Sequence, residues 1–202
     1  LNAIESVNKE VKSKAGRTRL EYLEFVTPAD MQRIKAMEII PSIRPEVTLT
    51  DKLILNETIK PENGQNLGLW SNLLKQNNII ISGTDFPYHT INPLVVMYYL
   101  SSGLAVDTAA NRLTNNIAQK LSVLDALKSF TVYSAFASFA EEVKGTLEKD
   151  KFADMVVLSD DIVASDPAVL LKTKILMTII RGEVVYENKS PGALLYEYDL
   201  KL

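Results

Sequence analysis

The chain has 202 residues and a formal net charge of -3, with 47% hydrophobic and 23% charged residues. That content suffices to bury a sizeable core, and the weak acidity provides no basic field to gather phosphates, which excludes nucleic acid as an expected partner. With no cysteine, neither a disulfide framework nor a thiolate zinc site can form.

Leu1 to Arg19 is polar and lacks the apolar stretch of a signal peptide. The longest apolar run, around Asn92 to Leu100, is too short to cross a bilayer. The expectation is therefore no membrane partner and a cytoplasmic location. Asn2 to Lys14 reads as the middle of an amphipathic helix and the first residue is Leu1, which is expected of a segment of a longer protein. Ile4, Val7 and Val11 recur at helical spacing on its apolar side.

Arg19 to Val26 alternates and predicts a strand. Thr27-Pro28-Ala29-Asp30 predicts a helix start, with Thr27 as cap, Pro28 in the first turn and Asp30 adding negative charge there. Glu38 to Ile43 predicts a second strand, its pairing made irregular by Pro41. Arg44 to Gly68 is long and polar, the pattern of a functional loop, and Leu69 to Lys75 predicts a short helix. Asn78 to Gly83 is nearly continuous in apolar residues, as in a strand buried on both faces of a parallel sheet. Helices are expected to dominate from Pro93 to Phe139, one opening at Ser122-Val123-Leu124-Asp125 like a capping box.

Beyond Glu141 the pattern changes. Ala153 to Leu158 and Lys174 to Ile180 predict strands, and Arg181-Gly182 predicts a two-residue hairpin leading into Glu183 to Glu187. Strand-helix alternation gives way to hairpins near residue 140, so a boundary is expected there: residues 1–140 in a parallel α/β architecture, 141–202 in a small antiparallel sheet.

The chemistry-bearing cluster is Ile81-Ser82-Gly83-Thr84-Asp85-Phe86-Pro87. An apolar strand ends, a carboxylate follows and the chain turns. At the C-terminal end of a parallel barrel strand such an Asp85 could bind a metal or take a proton from water; it could equally cap the helix that follows. His89, the single histidine, and Glu46 could face the same pocket, and Arg44 could clamp a substrate carboxylate. Trp70 and Met97-Tyr98-Tyr99 read as core, and the charges from Glu141 to Lys151 as a solvated turn.

Gly83-Thr84-Asp85-Phe86-Pro87 resembles the Gly-Ser-Asp-x-Pro motif of family 3, formamidase-like amidohydrolases, and Asn92-Pro93-Leu94 fits its continuation. Ser122 to Leu127 with Thr131 is similar to the family's "EALR…YT" helix. Gly145 to Leu158 resembles its "GxLxxGKxADxVVL" signature, with Asp150 where glycine is common, and Thr178 to Tyr186 its closing hairpin. Arg19 to Phe25 resembles its "RIEHxQ" motif.

The resemblance implies an α/β fold: the C-terminal portion of a (β/α)8 TIM-type metal-dependent barrel, roughly strands 6–8, in residues 1–140. Residues 141–202 would supply strands of a small β-sandwich domain. It implies a full-length parent that hydrolyses a non-peptide C–N bond of a small-molecule amide through water activated by a divalent metal, zinc in the first instance. Asp85 would be metal ligand and proton shuttle there. Tyr22 stands where the family has a metal-binding His, and a phenol with a pKa of about 10 is a poor zinc ligand. Val47 stands where relatives often have a His and cannot ligate. The other expected ligands do not occur in this chain, which is expected to bind no catalytic ion tightly and to be inactive alone. A catalytically silent relative with a binding or regulatory role is the alternative. A segment of a barrel exposes strand edges, so self-association is expected as well.

Overall fold

The computed structural model describes residues 1–11, 16–46, 68–77, 79–107, 112–115 and 119–189. Helix α1, Asn2–Val11, precedes the two-residue strand β1, Arg19–Leu20. Helix α2, Pro28–Ala36, follows, and Thr27 accepts the Asp30 N–H through its hydroxyl, as the Thr-Pro start predicts. The helix ends in a Schellman arrangement: Ile39 N–H reaches back to Ile34 O and Glu38 N–H to Lys35 O, with Glu38 at φ 55°. That turn delivers the chain directly into β2, Ile40–Ile43.

Strand β2 is fully buried and central. It pairs in parallel with β1 on one side and with β3, Ile81–Ser82, on the other. Two of these strands are shorter than the sequence predicts. Tyr22 adopts φ 55°, a left-handed conformation that no regular strand contains, so the Arg19 to Val26 run leaves the sheet after Leu20. At the other edge only Ile81 and Ser82 pair, and Asn78 lies outside the described residues. So do Val47 and most of the predicted Arg44–Gly68 loop.

Helix α3, Trp70–Asn77, packs on α2, and helix α4, Pro93–Ser102, follows β3. Every residue of α4 from Leu94 to Ser101 is buried, as befits a helix apolar on all sides. Asn92 caps its start by accepting the Leu94 N–H, and Gly103 at φ 70° ends it. The expected helical run to Phe139 is interrupted: Leu104–Asp107 (β4) and Arg112–Asn115 (β5) form an antiparallel pair before α5, Val123–Phe130, and α6, Val132–Ala137. Ser122 caps α5 by accepting the Asp125 N–H.

Arg17 fastens the approach to β1 onto the end of α6. Its guanidinium lies 3.6 Å from the Phe136 ring centroid and 4.5 Å from that of Phe139, and it forks onto both oxygens of Glu141. Hydrogen bonding to Arg17 holds the Glu141 carboxyl down at about 2. The charged run that begins at Glu141 is thus tied to the body of the fold at its first residue. Gly145, at φ 100°, leaves no room for a side chain: a Cβ would stand 2.7 Å from that of Ala135. Asp150 takes φ 69°, which explains why glycine is frequent at that motif position.

Met155–Leu158 (β6), Ile175–Ile180 (β7) and Glu183–Glu187 (β8) form an antiparallel sheet. Arg181 and Gly182, at φ 50° and 84°, make the tight turn. Asp154 holds it by accepting the Arg181 N–H at 2.8 Å, and Ala153 O accepts from Gly182. Between β6 and β7 a 3-10 helix, Pro167–Leu171, packs on α4, and Ile162 and Leu170 share one core with Leu100 and Trp70.

Trp70 is completely buried, and its indole N–H has no hydrogen-bond partner among the described residues. Trp70→Ala should therefore destabilise the chain by about 3–5 kcal/mol through the cavity it leaves. Trp70→Phe should cost much less, because it also deletes the unsatisfied donor. Urea melts of the two variants, compared at equal m-value, measure the difference.

Candidate functional site at the carboxyl ends of the parallel strands

Because β1, β2 and β3 run parallel, the residues that follow each strand collect at one end of the sheet. Glu21, Tyr22 and Glu24 come from β1, Arg44 and Glu46 from β2, and Asp85 from the loop after β3. In open and closed parallel sheets alike, this is the end that carries sites.

Asp85 is half-buried and adopts φ 55°, a conformation aspartate tolerates better than most residues. Its carbonyl accepts the Tyr88 N–H at 3.1 Å, closing the turn through Pro87. Its carboxylate lies beside the Tyr22 phenol: hydrogen bonding to it first, then burial and the carboxylate's charge, raise the Tyr22 pKa. Two left-handed residues on different strand ends thus meet side chain to side chain.

Arg44 is fully engaged within the protein. Its guanidinium donates to Ser42 Oγ at 3.0 Å, to Ile43 O at 2.9 Å and to Glu21 Oε2 at 3.0 Å, and lies 5.5 Å from the Tyr22 ring centroid. Gly83 provides the seat: a Cβ there would stand 2.9 Å from the Arg44 guanidinium carbon. A side chain at Gly83 would oblige the Arg44 guanidinium to shift from its seat. Burial acts to raise the Glu21 pKa, but hydrogen bonding from Ser42 and the charges of Arg44 and Arg19 outweigh it and the net shift is downward.

The remaining carboxyls behave differently. Glu24 is 6% exposed, and burial pushes its carboxyl up to about 7 although the Arg44 backbone N–H bonds to it. Glu46 is 4% exposed and is likewise pushed up to about 7, by burial and then by the nearby charge of Asp85, against a stabilising hydrogen bond with the Thr90 backbone. The site therefore holds carboxyls of opposite tendency: Glu21 ionised by its cations, Glu24 and Glu46 poised near neutrality by desolvation.

Of the candidates from the sequence, the fold brings Asp85, Glu46 and Arg44 to the same end. His89 lies half-buried in the following turn, and no hydrogen bond or ion pair among the described residues joins it to Asp85. Val47 lies outside the described residues. Glu21 and Glu24 escape sequence reading: in an alternating strand Glu21 falls on the polar face with Arg19, and Glu24 on the opposite face with Leu20 and Tyr22. The signal available was the failure of that alternation at Tyr22-Leu23-Glu24. Among the described residues, no group of three or more His, Asp or Glu is arranged to hold a metal ion, and no helix is long and apolar enough to cross a membrane.

Comparison with known proteins places this α/β segment in a family. The sequence profile of the amidohydrolase family Amidohydro_3 matches residues 1–186, and the chain belongs to that family. It is 26% identical over 196 residues to the putative amidohydrolase YtcJ of Bacillus subtilis (strain 168), covering 93% of this chain and 35% of that protein. It is also 26% identical over 196 residues to the protein LONG AFTER FAR-RED 3 of Arabidopsis thaliana, covering 92% of this chain and 31% of that one. The chain thus spans about a third of the length of these curated relatives. Among solved structures, an uncharacterized metal-dependent hydrolase from Pyrococcus horikoshii OT3 superposes with a TM-score of 0.64 at 22% identity, over 82% of this chain and 32% of that one. At that identity the likeness establishes the fold.

Proposed function

We propose that this chain is the C-terminal part of a metal-dependent amidohydrolase, acting in the cytoplasm on a non-peptide C–N bond, amide or N-acyl, of a small molecule. Residues 1–140 would form the last strands and helices of a (β/α)8 barrel, and 141–202 strands of a small β-sandwich domain. One observation carries the reading: Asp85 stands beyond the carboxyl end of a parallel strand, at the same end of the sheet as Tyr22, Arg44 and Glu46.

The described residues do not by themselves make a metal site, since Asp85 has no group of further ligands around it and its neighbour is the phenol of Tyr22. No metal step is assigned to this segment. In the full-length enzyme the remaining donors for a divalent ion, zinc in the first instance, would come from elsewhere in the polypeptide, and Asp85 would complete the set. What these residues do is narrower. Tyr22 orients the Asp85 carboxylate, Asp85 accepts a proton from the attacking water, and Arg44 keeps the strand ends in register. His89, Glu46 and Arg44 remain the nearest candidates for contact with the substrate. The test is hydrolysis of an amide and N-acyl panel by the full-length protein, with its metal content measured alongside. Turnover with bound metal supports the reading; a metal-free protein that turns over nothing on the panel removes it.

A second reading, a catalytically silent relative that binds a small molecule, draws on one feature. The Tyr22 hydroxyl already occupies Asp85, and Arg44 is engaged internally. It predicts ligand binding without turnover in the same experiment.

By itself the 202-residue chain should self-associate. Among the described residues strands β1 and β3 are the edges of their sheet, and the antiparallel sheet exposes Val156, Val157, Val184 and Val185, each more than 40% accessible. Such surfaces are normally covered by another chain or segment. Sedimentation at micromolar concentration checks this; a concentration-independent monomer would contradict it.

A further inference from the structure

Glu24 gathers three separate parts of the chain at one point. It lies just past β1 and is buried, and its Oε1 accepts the backbone N–H of Arg44 at the end of β2. Its own carbonyl accepts the N–H of Gly68, just before α3, at 2.9 Å. Its Oε2 is buried without a hydrogen-bond partner among the described residues. A carboxyl half-satisfied in the interior is costly, and an apolar side chain of similar size would remove that cost. It would also leave the Arg44 N–H with no acceptor.

The Arg44 backbone in turn determines where its guanidinium lies: on Glu21, on Ser42 and against the Tyr22 ring. Tyr22 holds Asp85. We infer that Glu24 is a positioning residue: by fastening the Arg44 backbone to the end of β1, it seats the guanidinium on Tyr22 and keeps the phenol against Asp85. The inference rests on the reading of Asp85 as part of the site, but its test does not depend on turnover.

The experiment is amide exchange and ring contacts by NMR in the full chain. Glu24→Ala should speed exchange at the Arg44 amide by about tenfold or more and weaken the cross-peaks between Arg44 and the Tyr22 ring. Glu24→Gln should restore both, because its side-chain carbonyl can accept the same N–H. The Gly68 amide, bonded to the Glu24 backbone, is the internal control and should keep its protection in every folded variant. If Glu24→Ala does not fold, Glu24→Asp, which keeps the charge but shortens the reach, is read in the same way. Unchanged Arg44 protection and Tyr22 contacts in the folded Ala or Asp variant would overturn the inference, as would a Gln variant that fails to restore them. Asp85→Asn, assayed separately for activity, decides the site reading without affecting this result.

Discussion

Asp85→Asn in the full-length protein is expected, on the hydrolase reading proposed above, to lower kcat by about 10²–10⁴-fold while leaving KM and the melting temperature close to their original values. The size follows from removing a proton acceptor that works in the transition state and adds little to ground-state binding. The choice of Asn follows from the backbone. Asp85 sits at φ 55°, where Asn is among the most tolerant of residues, whereas Asp85→Ala would add conformational strain to the chemical change. The Asn side-chain oxygen can still accept the Tyr22 hydroxyl, so the contact between the strand ends is preserved. Retention of wild-type turnover by Asp85→Asn would end the assignment. Equal loss in kcat and in stability would mean that the residue acts through the fold.

The second large effect concerns pH. Glu24 and Glu46 each have a folded pKa near 7, against an ordinary value of 4.5. Their protonated forms are favoured in the folded state, so their contribution to stability is fully present below about pH 4.5. It is lost as pH rises towards 7, and the curve levels off above that. Each group corresponds to about 3 kcal/mol across that window. The carboxyls with lowered pKa, Glu21 and Glu141, act in the opposite sense and lose their contribution only as pH falls below the ordinary range. Urea midpoints between pH 5 and pH 8 therefore isolate the raised pair. The wild-type chain should weaken across this interval, Glu24→Gln and Glu46→Gln should each flatten the slope, and the double variant should nearly abolish it. A wild-type midpoint that is constant or rises from pH 5 to pH 8 would show that these carboxyls are better solvated than their surroundings imply.

Local chemistry was legible from the sequence wherever partners lie within a few residues. Thr27-Pro28, Ser122 and Arg181-Gly182 form the caps and the turn that their side chains and backbone preferences dictate. The Gly-Thr-Asp cluster stands at the end of a strand, as the apolar run before it requires. Family membership was legible for the same reason, since its motifs are short runs read in order along the chain.

What failed in the sequence reading depended on distant partners. Arg19 to Val26 alternates like a strand, yet Tyr22 turns left-handed and the segment leaves the sheet with its phenol on Asp85. The β4–β5 pair interrupts a stretch whose composition favours helix, because strand pairing depends on cross-strand neighbours as much as on intrinsic preference. Glu24, which no local pattern singles out, is buried against the Arg44 backbone.

By itself, then, the sequence determined the helix ends, the hairpin turn, the placement of a carboxylate after an apolar strand, and the family. Only the tertiary structure decided which side chains share the strand ends. The parallel register sets Ile40 beside Arg19 and Ser42 beside Ile81, and so brings Glu24, Arg44, Tyr22 and Asp85 into one network. Register and burial are properties of three strands packed together; they determine which carboxyls lose their water, and desolvation has no counterpart in an extended chain.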